Sequence, residues 1–199
     1  GERGRTRAEL RRQILHLQDS FSCLDRARVP VLAAVQGGCI GGGVDLISAC
    51  DVRYCTEDAF FCIQEINIGM TADVGTFPRL PHILPQGLVR ELAYTGRRLY
   101  AQEARDSGLV NCVYENHAAL LDGVLAKAGE IAARSPLAVW GSKEMLNYAR
   151  DHTIADGLDY IATWQTGMFT PDDMVESFQA KKEQRDANYA DLLPHRNKL

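Results

Sequence analysis

A cluster of glycines just before an aspartate is the feature of this sequence best suited to chemistry. Glycine occupies positions 37, 38, 41, 42 and 43, and Asp45 follows two residues later. Such glycines let the backbone approach a ligand, and the first N–H groups of a following helix have no intrahelical partner. These groups, at the positive end of the helix dipole, can stabilise an oxyanion. A purely structural tight turn is the alternative. Neither GxGxxG nor GxxxxGK followed by Ser or Thr fits the segment, which disfavours phosphate binding.

Two more acids lie downstream in apolar surroundings. Glu65 ends the apolar run at residues 60–63, and Asp73 lies in the following loop of Gly, Met, Thr and Ala. Acids in such positions are expected to be partly desolvated, and desolvation and mutual repulsion raise a carboxyl pKa toward the range that general acid–base catalysis needs. Taken singly, each acid fits an ordinary solvated loop better than a catalytic site, because loops commonly carry Asp and Glu. Asp45 would be favoured near a helix start whether or not it is catalytic.

The histidines and cysteines do not indicate a metal site. The five histidines are scattered without metal-ligand spacing. The six cysteines show no CxxC pair and stand mostly in apolar runs, so we expect buried thiols in a reducing compartment rather than disulfides. The sequence therefore predicts no metal cofactor.

Hydrophobic spacing predicts the elements that position these groups. Apolar residues three and four apart indicate a helix over residues 8–24, and a short run without charge indicates a buried strand over residues 29–35. The glycines would then form a turn before a buried helix at residues 44–50. Short strands are expected next, at residues 52–55 and 59–63.

The last third of the chain has helical spacing almost throughout. Helices are expected over residues 118–134, 136–151, 154–169 and 171–187, each starting near a helix-initiating residue. A strand is expected before them, at residues 109–113. We therefore divide the chain into a core at residues 1–134 and a C-terminal helical subdomain at residues 135–199.

Composition narrows the class of protein. Of the 199 residues, 46% are hydrophobic, which suits a compact core, and the net charge of -4 provides no basic field for nucleic acid or an anionic membrane. No run of about 18 apolar residues occurs, and the charged N-terminal residues do not resemble a signal peptide. The sequence predicts a soluble intracellular protein that binds neither nucleic acid nor membranes.

Four segments in order resemble the crotonase (enoyl-CoA hydratase and isomerase) family. Residues 30–51, PVLAAVQGGCIGGGVDLISACD, resemble the family signature, and residues 60–69, 94–113 and 134–143 resemble later family segments. The resemblance implies an α/β fold, a spiral of repeated β-β-α turns with a C-terminal helical subdomain that packs trimers, often doubled to hexamers. It also implies an acyl-CoA thioester substrate, with coenzyme A as part of the substrate and no separate cofactor.

Within the family, the acids resemble those of the dienoyl-CoA isomerase branch. A typical hydratase has Glu at the position of Asp45, whereas the branch has Asp there and a third acid that matches Asp73 in its ADVG context. The resemblance makes the Gly42 N–H an oxyanion donor in the conversion of a 3,5-dienoyl-CoA to a 2,4-dienoyl-CoA. Our hypothesis is that Glu65 removes the proton from C2 and Asp73 delivers one to C6, with the reverse order open. Asp45 would organise the hydrogen bonds of the site.

The sequence departs from the family pattern at its start. Family members have several strands before the one at residue 30, including a loop with the first oxyanion N–H, and these are expected to be missing here. Two alternatives to the isomerase therefore stay open, an enoyl-CoA hydratase or related activity and a non-catalytic assembly module on the same fold.

The last three residues, Asn197, Lys198 and Leu199, differ at one position from the peroxisomal Ser-Lys-Leu signal. A peroxisome-like organelle or the mitochondrial matrix is the expected compartment, and an ordinary polar tail is the alternative interpretation of the tripeptide.

Overall fold

The computed structural model describes residues 2–194, which fall into two compact units. The first unit contains the chain up to Ala27 and then Val31–Val124; the second contains Arg28–Pro30 and the chain from Leu125 onward. The glycine segment and all three candidate acids belong to the first unit. Each unit has its own packing and is described separately.

Two small sheets organise the first unit. In one, the strands β1 (Leu32–Val35), β3 (Val52–Thr56) and β6 (Cys112–Tyr114) are parallel, in the order β1-β3-β6. In the other, β4 (Phe60–Cys62) pairs in parallel with β2 (Gly38–Ile40) and antiparallel with β5 (Leu99–Tyr100). The chain thus moves from the first sheet to the second at β1–β2 and again at β3–β4. These repeated turns confirm the α/β spiral that the family resemblance implied.

Helices connect and flank these sheets. The helices of the first unit are α1 (Glu2–Asp25), α2 (Gly42–Ser48), α3 (Thr76–Arg79), α4 (Gln86–Thr95) and α5 (Ala101–Asp106). α6 (His117–Ala132) has residues in both units, and 3₁₀ turns lie at Gln64–Ile68 and Leu80–His82. α1 begins six residues earlier than its apolar spacing predicted, because Glu and Arg in its first turns favour a helix without needing an apolar face.

Further differences from the sequence prediction concern the glycine segment, Glu65 and the last strand. The glycine segment contains the short strand β2, so it is more than a simple turn. Glu65 lies in the 3₁₀ turn after β4 rather than at the end of the strand. The last strand, β6, begins at Cys112 instead of residue 109, because the Val110 N–H donates to the Ala104 carbonyl and the Leu109 carbonyl accepts from the Arg53 side chain, not from the backbone of a neighbouring strand.

The core of the first unit surrounds α2. Val44 and Ile47 of this helix belong to an apolar cluster that also contains residues of the strands, the 3₁₀ turn at Leu80–His82 and α4, among them Cys55, Phe61, Leu80, Leu92, Leu99 and Leu109. Burying a large apolar side chain contributes roughly 1.5–3 kcal/mol relative to leaving it exposed. The cluster therefore fixes α2, with the glycines and Asp45 at its start.

The second unit contains the helices α7 (Pro136–Tyr148), α8 (Ile154–Met168) and α9 (Pro171–Glu183). The Ser135 hydroxyl caps α7 by accepting from the Ala138 N–H, and a capping box begins α8. Trp140 and Trp164 pack edge to face, with ring centroids 5.1 Å apart. The two tryptophan rings thus join α7 to α8.

Most of the cysteines are buried, and the helices of residues 2–194 do not suit a membrane. Cys39, Cys50, Cys55 and Cys62 are buried as expected, but Cys23 is exposed on α1 because it lies outside the helix face that packs. Within this range, every helix is too short or too polar to cross a bilayer. The tripeptide at residues 197–199 lies outside the described residues.

Candidate active site

The helix α2 begins at an exposed glycine. Gly41 has a left-handed φ of 54°, and its N–H donates to the Cys62 carbonyl at 2.9 Å, which ties the glycine segment to the end of β4. Gly42 is the first residue of the helix, where N–H groups have no intrahelical acceptor. Gly42 is exposed, and a methyl group added there would meet nothing within 4 Å. The positive end of the helix therefore lies at an exposed residue without a side chain.

Asp45 is buried, and one of its carboxylate oxygens accepts two hydrogen bonds. Its side chain is 1% exposed, and its Oδ1 accepts hydrogen bonds from both the N–H and the hydroxyl of Thr76, each at 2.7 Å. Its place in the first turn of α2 also suits a negative charge. Each hydrogen bond to a charged group stabilises by about 1.5–3 kcal/mol. Asp45 therefore joins the start of α2 to the start of α3.

Glu65 carries the one buried side-chain oxygen without a hydrogen-bond partner among the described residues. This atom is Oε2. The other oxygen, Oε1, packs against the glycine segment, since a methyl group added at Gly41 would lie only 3.1 Å from it. Burial raises the pKa of the neighbouring Cys62 thiol; Arg98 acts against this shift, and Glu65 makes a smaller contribution that raises the pKa. The Glu65 carboxylate thus lies against the turn that presents the Gly42 amide.

Asp73 is exposed, so the expectation of partial desolvation is wrong for this acid. It lies in an open loop between Gly69 and Gly75, which both have positive φ. The loop is nevertheless anchored, because the Gln18 side chain donates to the Asp73 carbonyl at 2.7 Å. The acids that the fold removes from solvent are instead Asp45 and, in part, Glu65. Exposure leaves the Asp73 carboxylate open to contact with a ligand.

The three acids belong to segments that contact one another. Glu65 packs on Gly41 at the start of α2, Asp45 lies in the first turn of the same helix, and the loop with Asp73 ends at Thr76, the residue that binds Asp45. Sequence reasoning missed Thr76. Its only local signal was a Thr at the start of a helix, directly after a glycine.

The arrangement can perform proton transfer beside an oxyanion. The Gly42 N–H can receive developing negative charge, and the unpartnered Glu65 oxygen can accept a proton nearby. Within residues 2–194, His, Cys, Asp and Glu form no group of three or more that could hold a metal ion. The groups that the fold brings together here are carboxylates and the first backbone amide of α2.

Residues 3–192 match the family model described as enoyl-CoA hydratase/isomerase, and the chain belongs to that family. It is 49% identical over 178 residues to the mitochondrial Delta(3,5)-Delta(2,4)-dienoyl-CoA isomerase of Mus musculus, which covers 89% of this chain and 54% of the mouse protein. It is 45% identical over 191 residues to the peroxisomal Delta(3,5)-Delta(2,4)-dienoyl-CoA isomerase of Arabidopsis thaliana, covering 96% of this chain and 69% of the plant protein.

Solved structures agree with the family assignment. An enoyl-CoA hydratase from Bacillus anthracis superposes with a TM-score of 0.85 at 32% identity, covering 92% of this chain and 70% of that chain. This chain spans about half the length of the mammalian relatives it matches, 54% in the mouse protein.

Proposed function

We propose that this protein is a dienoyl-CoA isomerase that converts a 3,5-dienoyl-CoA to a 2,4-dienoyl-CoA in the oxidation of unsaturated fatty acids. The C2–H bond breaks, the electrons delocalise over the diene and the thioester oxygen, and a new C–H bond forms at C6. The substrate and product are isomers, so the reaction consumes no cofactor. The family membership and the names of the two isomerase relatives support this reaction.

The observation that carries the proposal is the buried, unpartnered oxygen of Glu65. An uncompensated buried carboxylate oxygen is costly unless a ligand uses it. In our proposal it accepts the C2 proton while the Gly42 N–H stabilises the thioester oxyanion. Removing one oxyanion donor typically costs about 10² to 10³ in rate. The proximity of Glu65 to Gly41 supports this pairing of base and donor.

Asp73 is proposed as the acid that delivers a proton to C6. An exposed carboxylate on an anchored loop can exchange protons with solvent and still be held in position. A second acid is needed because C2 and C6 are separated by the length of the diene, beyond the reach of a single carboxylate at hydrogen-bond distance. The Gln18 bond to the Asp73 backbone supports a fixed position for this acid.

Asp45 is proposed to organise the site and not to transfer the proton. Both hydrogen bonds from Thr76 fall on its Oδ1, and the side chain is almost entirely buried. A hydratase would use the acids at positions 45 and 65 together to hold a water molecule. The engagement of Asp45 by Thr76 disfavours that use and so favours isomerisation over hydration.

The experiment that tests this proposal compares two substrates with the purified protein. Ultraviolet absorbance follows the 2,4-dienoyl product from 3,5-octadienoyl-CoA, and hydration of a 2-enoyl-CoA is followed in parallel. We expect diene turnover that is lost in Asp73→Asn and in Glu65→Gln. Hydration without diene turnover would assign the protein to the hydratases. Absence of both activities in a folded protein would favour the non-catalytic assembly module.

We also propose assembly into a homotrimer or homohexamer. Helices α7–α9 leave large apolar side chains exposed, including Leu146, Ile154, Leu158 and Phe178, which are each 65% or more exposed. Large exposed apolar patches typically mark interaction surfaces. Sedimentation velocity would test the proposal, with a single monomeric species as the contradicting result.

For the compartment, we propose the mitochondrial matrix or a peroxisome-like organelle. The mouse relative is named mitochondrial and the plant relative peroxisomal. Fluorescence microscopy of the protein with and without residues 197–199 would separate the two, since only a peroxisomal address depends on the C-terminal tripeptide.

A further inference from the structure

Arg79, at the end of α3, joins the loop that carries Asp73 to the long helix α1. Its Nε donates to Asp25 Oδ2 at 2.9 Å, and its Nη2 donates to the Ser22 hydroxyl at 2.8 Å. The side chains of Arg79 and Asp25 are only 14% and 17% exposed. A partly buried guanidinium with two separate partners holds its geometry better than an exposed ion pair does.

The same helix holds the Asp73 backbone directly. Gln18 lies one helical turn before Ser22, whose hydroxyl donates to the Gln18 carbonyl at 2.7 Å, and the Gln18 amide donates to the Asp73 carbonyl at 2.7 Å. Residues four apart share one face of a helix. One face of α1 therefore contacts the loop at Asp73 through Gln18. The same face binds Arg79 through Ser22, one turn later, and through Asp25, two turns later.

Arg79 also packs on the end of this loop. A side chain at Gly75 would overlap the Arg79 guanidinium, and Gly75 has a φ of 149° that other residues rarely adopt. The next residue, Thr76, is bonded to Asp45. The guanidinium thus contacts the backbone two residues after Asp73 while it is itself held by α1.

We propose that Arg79 and Gln18 are positioning residues for Asp73, holding its loop against α1 so that the carboxylate meets C6 of the substrate. This inference rests on the proposed isomerase function. Neither residue needs to touch the substrate, and both act on the loop and not on Glu65. Loosening the loop should therefore impair proton delivery to C6 while leaving proton removal from C2 intact.

The test measures the two proton transfers separately in deuterium oxide. Removal of the C2 proton and its return from solvent places deuterium at C2 of unreacted 3,5-octadienoyl-CoA, whereas completed isomerisation places deuterium at C6 of the product. Mass spectrometry and proton NMR give both rates from one reaction. The informative quantity is the ratio of C2 exchange to product formation.

Two substitutions and one control are compared with the wild type. Arg79→Lys keeps the charge but cannot contact both Asp25 and Ser22 in the same geometry, and Gln18→Met removes the donor to Asp73 at similar length. The control is Arg97→Lys, because Arg97 forms a similar pair of ion contacts with Glu91 and Glu103 elsewhere in the same unit. It measures the effect of exchanging Arg for Lys in such a network.

A misplacement of about 1 Å can cost about 10²-fold in rate, so we expect the exchange ratio to rise about ten-fold or more in Arg79→Lys and in Gln18→Met, with Arg97→Lys unchanged. A ratio that stays at the wild-type value in both variants, or that falls, overturns the inference, even if the overall rate declines. A wild-type protein that leaves the diene unconverted overturns the proposed function and this inference with it.

Discussion

Replacing Thr76 by Val should lower the free energy of unfolding, because it removes one of the two hydrogen bonds that join Thr76 at the start of α3 to Asp45 in α2. The substitution removes the hydroxyl that donates to Asp45 Oδ1 at 2.7 Å and leaves the Thr76 N–H bond in place. Thr76 and Asp45 are each 1% exposed, so water cannot replace the missing donor without entering the core. The variant tests whether Asp45 has the organising role proposed for it.

The magnitude follows from the type of bond that is lost. A hydrogen bond to a charged group contributes about 1.5–3 kcal/mol, so the free energy of unfolding should fall by about 2 kcal/mol in Thr76→Val. Thr76→Ser is the matched control, because it retains the hydroxyl and loses only a methyl group, at a cost of about 1 kcal/mol. The order of stability should be wild type, then Thr76→Ser, then Thr76→Val.

Urea unfolding followed by far-ultraviolet circular dichroism gives these free energies. A double-mutant cycle with Asp45→Asn isolates the interaction between the Thr76 hydroxyl and the Asp45 carboxylate. The hydroxyl should contribute less to the free energy of unfolding when its acceptor carries no charge. We expect Thr76→Val to cost about 1 kcal/mol less in the Asp45→Asn background than in the wild type. Equal costs in the two backgrounds, or Thr76→Val no less stable than Thr76→Ser, would show that the Thr76 hydroxyl does not hold the Asp45 carboxylate.

Three further predictions concern other parts of the protein. Gly41→Ala should destabilise by about 1–2 kcal/mol in urea unfolding because of its φ of 54°, whereas Gly42→Ala, with open space at its Cβ, should change stability little. Burial, with a smaller contribution from Cys50, raises the pKa of Cys39 to about 12, so its alkylation near pH 8 should be ~10³-fold slower than that of a free cysteine by mass spectrometry. Hydrogen bonds, chiefly from Arg185, lower the pKa of Glu176 to about 2 from about 4.5. Their stabilising effect is present above about pH 4.5 and lost toward pH 2, so Glu176→Gln should lower stability at pH 7 and not at pH 2 in tryptophan-monitored unfolding.

Short-range signals explain what the sequence could predict of the site. The glycines before an apolar helix predicted an exposed amide at its start, and Gly42 has that position. The acid after an apolar run predicted a partly buried carboxylate, and Glu65 has a buried oxygen. Each of these predictions needed only the ten or so residues around it, where turn and helix preferences act.

Long-range contacts explain what the sequence could not predict. Thr76 and Asp45 are 31 positions apart, and Arg79 and Asp25 are 54 apart, so no local pattern pairs them. The prediction that Asp73 is partly desolvated is wrong, because its loop is exposed although the residues beside it in the sequence are mostly apolar. Local composition indicates desolvation only where the fold covers the residue.

The reaction of Asp73→Asn with 3,5-octadienoyl-CoA in deuterium oxide is the decisive test of whether two different acids act at C2 and at C6. If Glu65 acts at C2 and Asp73 at C6, the variant should exchange the C2 proton at a rate near that of the wild type and form almost no 2,4-dienoyl product. Product formation within a few-fold of the wild-type rate would contradict the two-acid account.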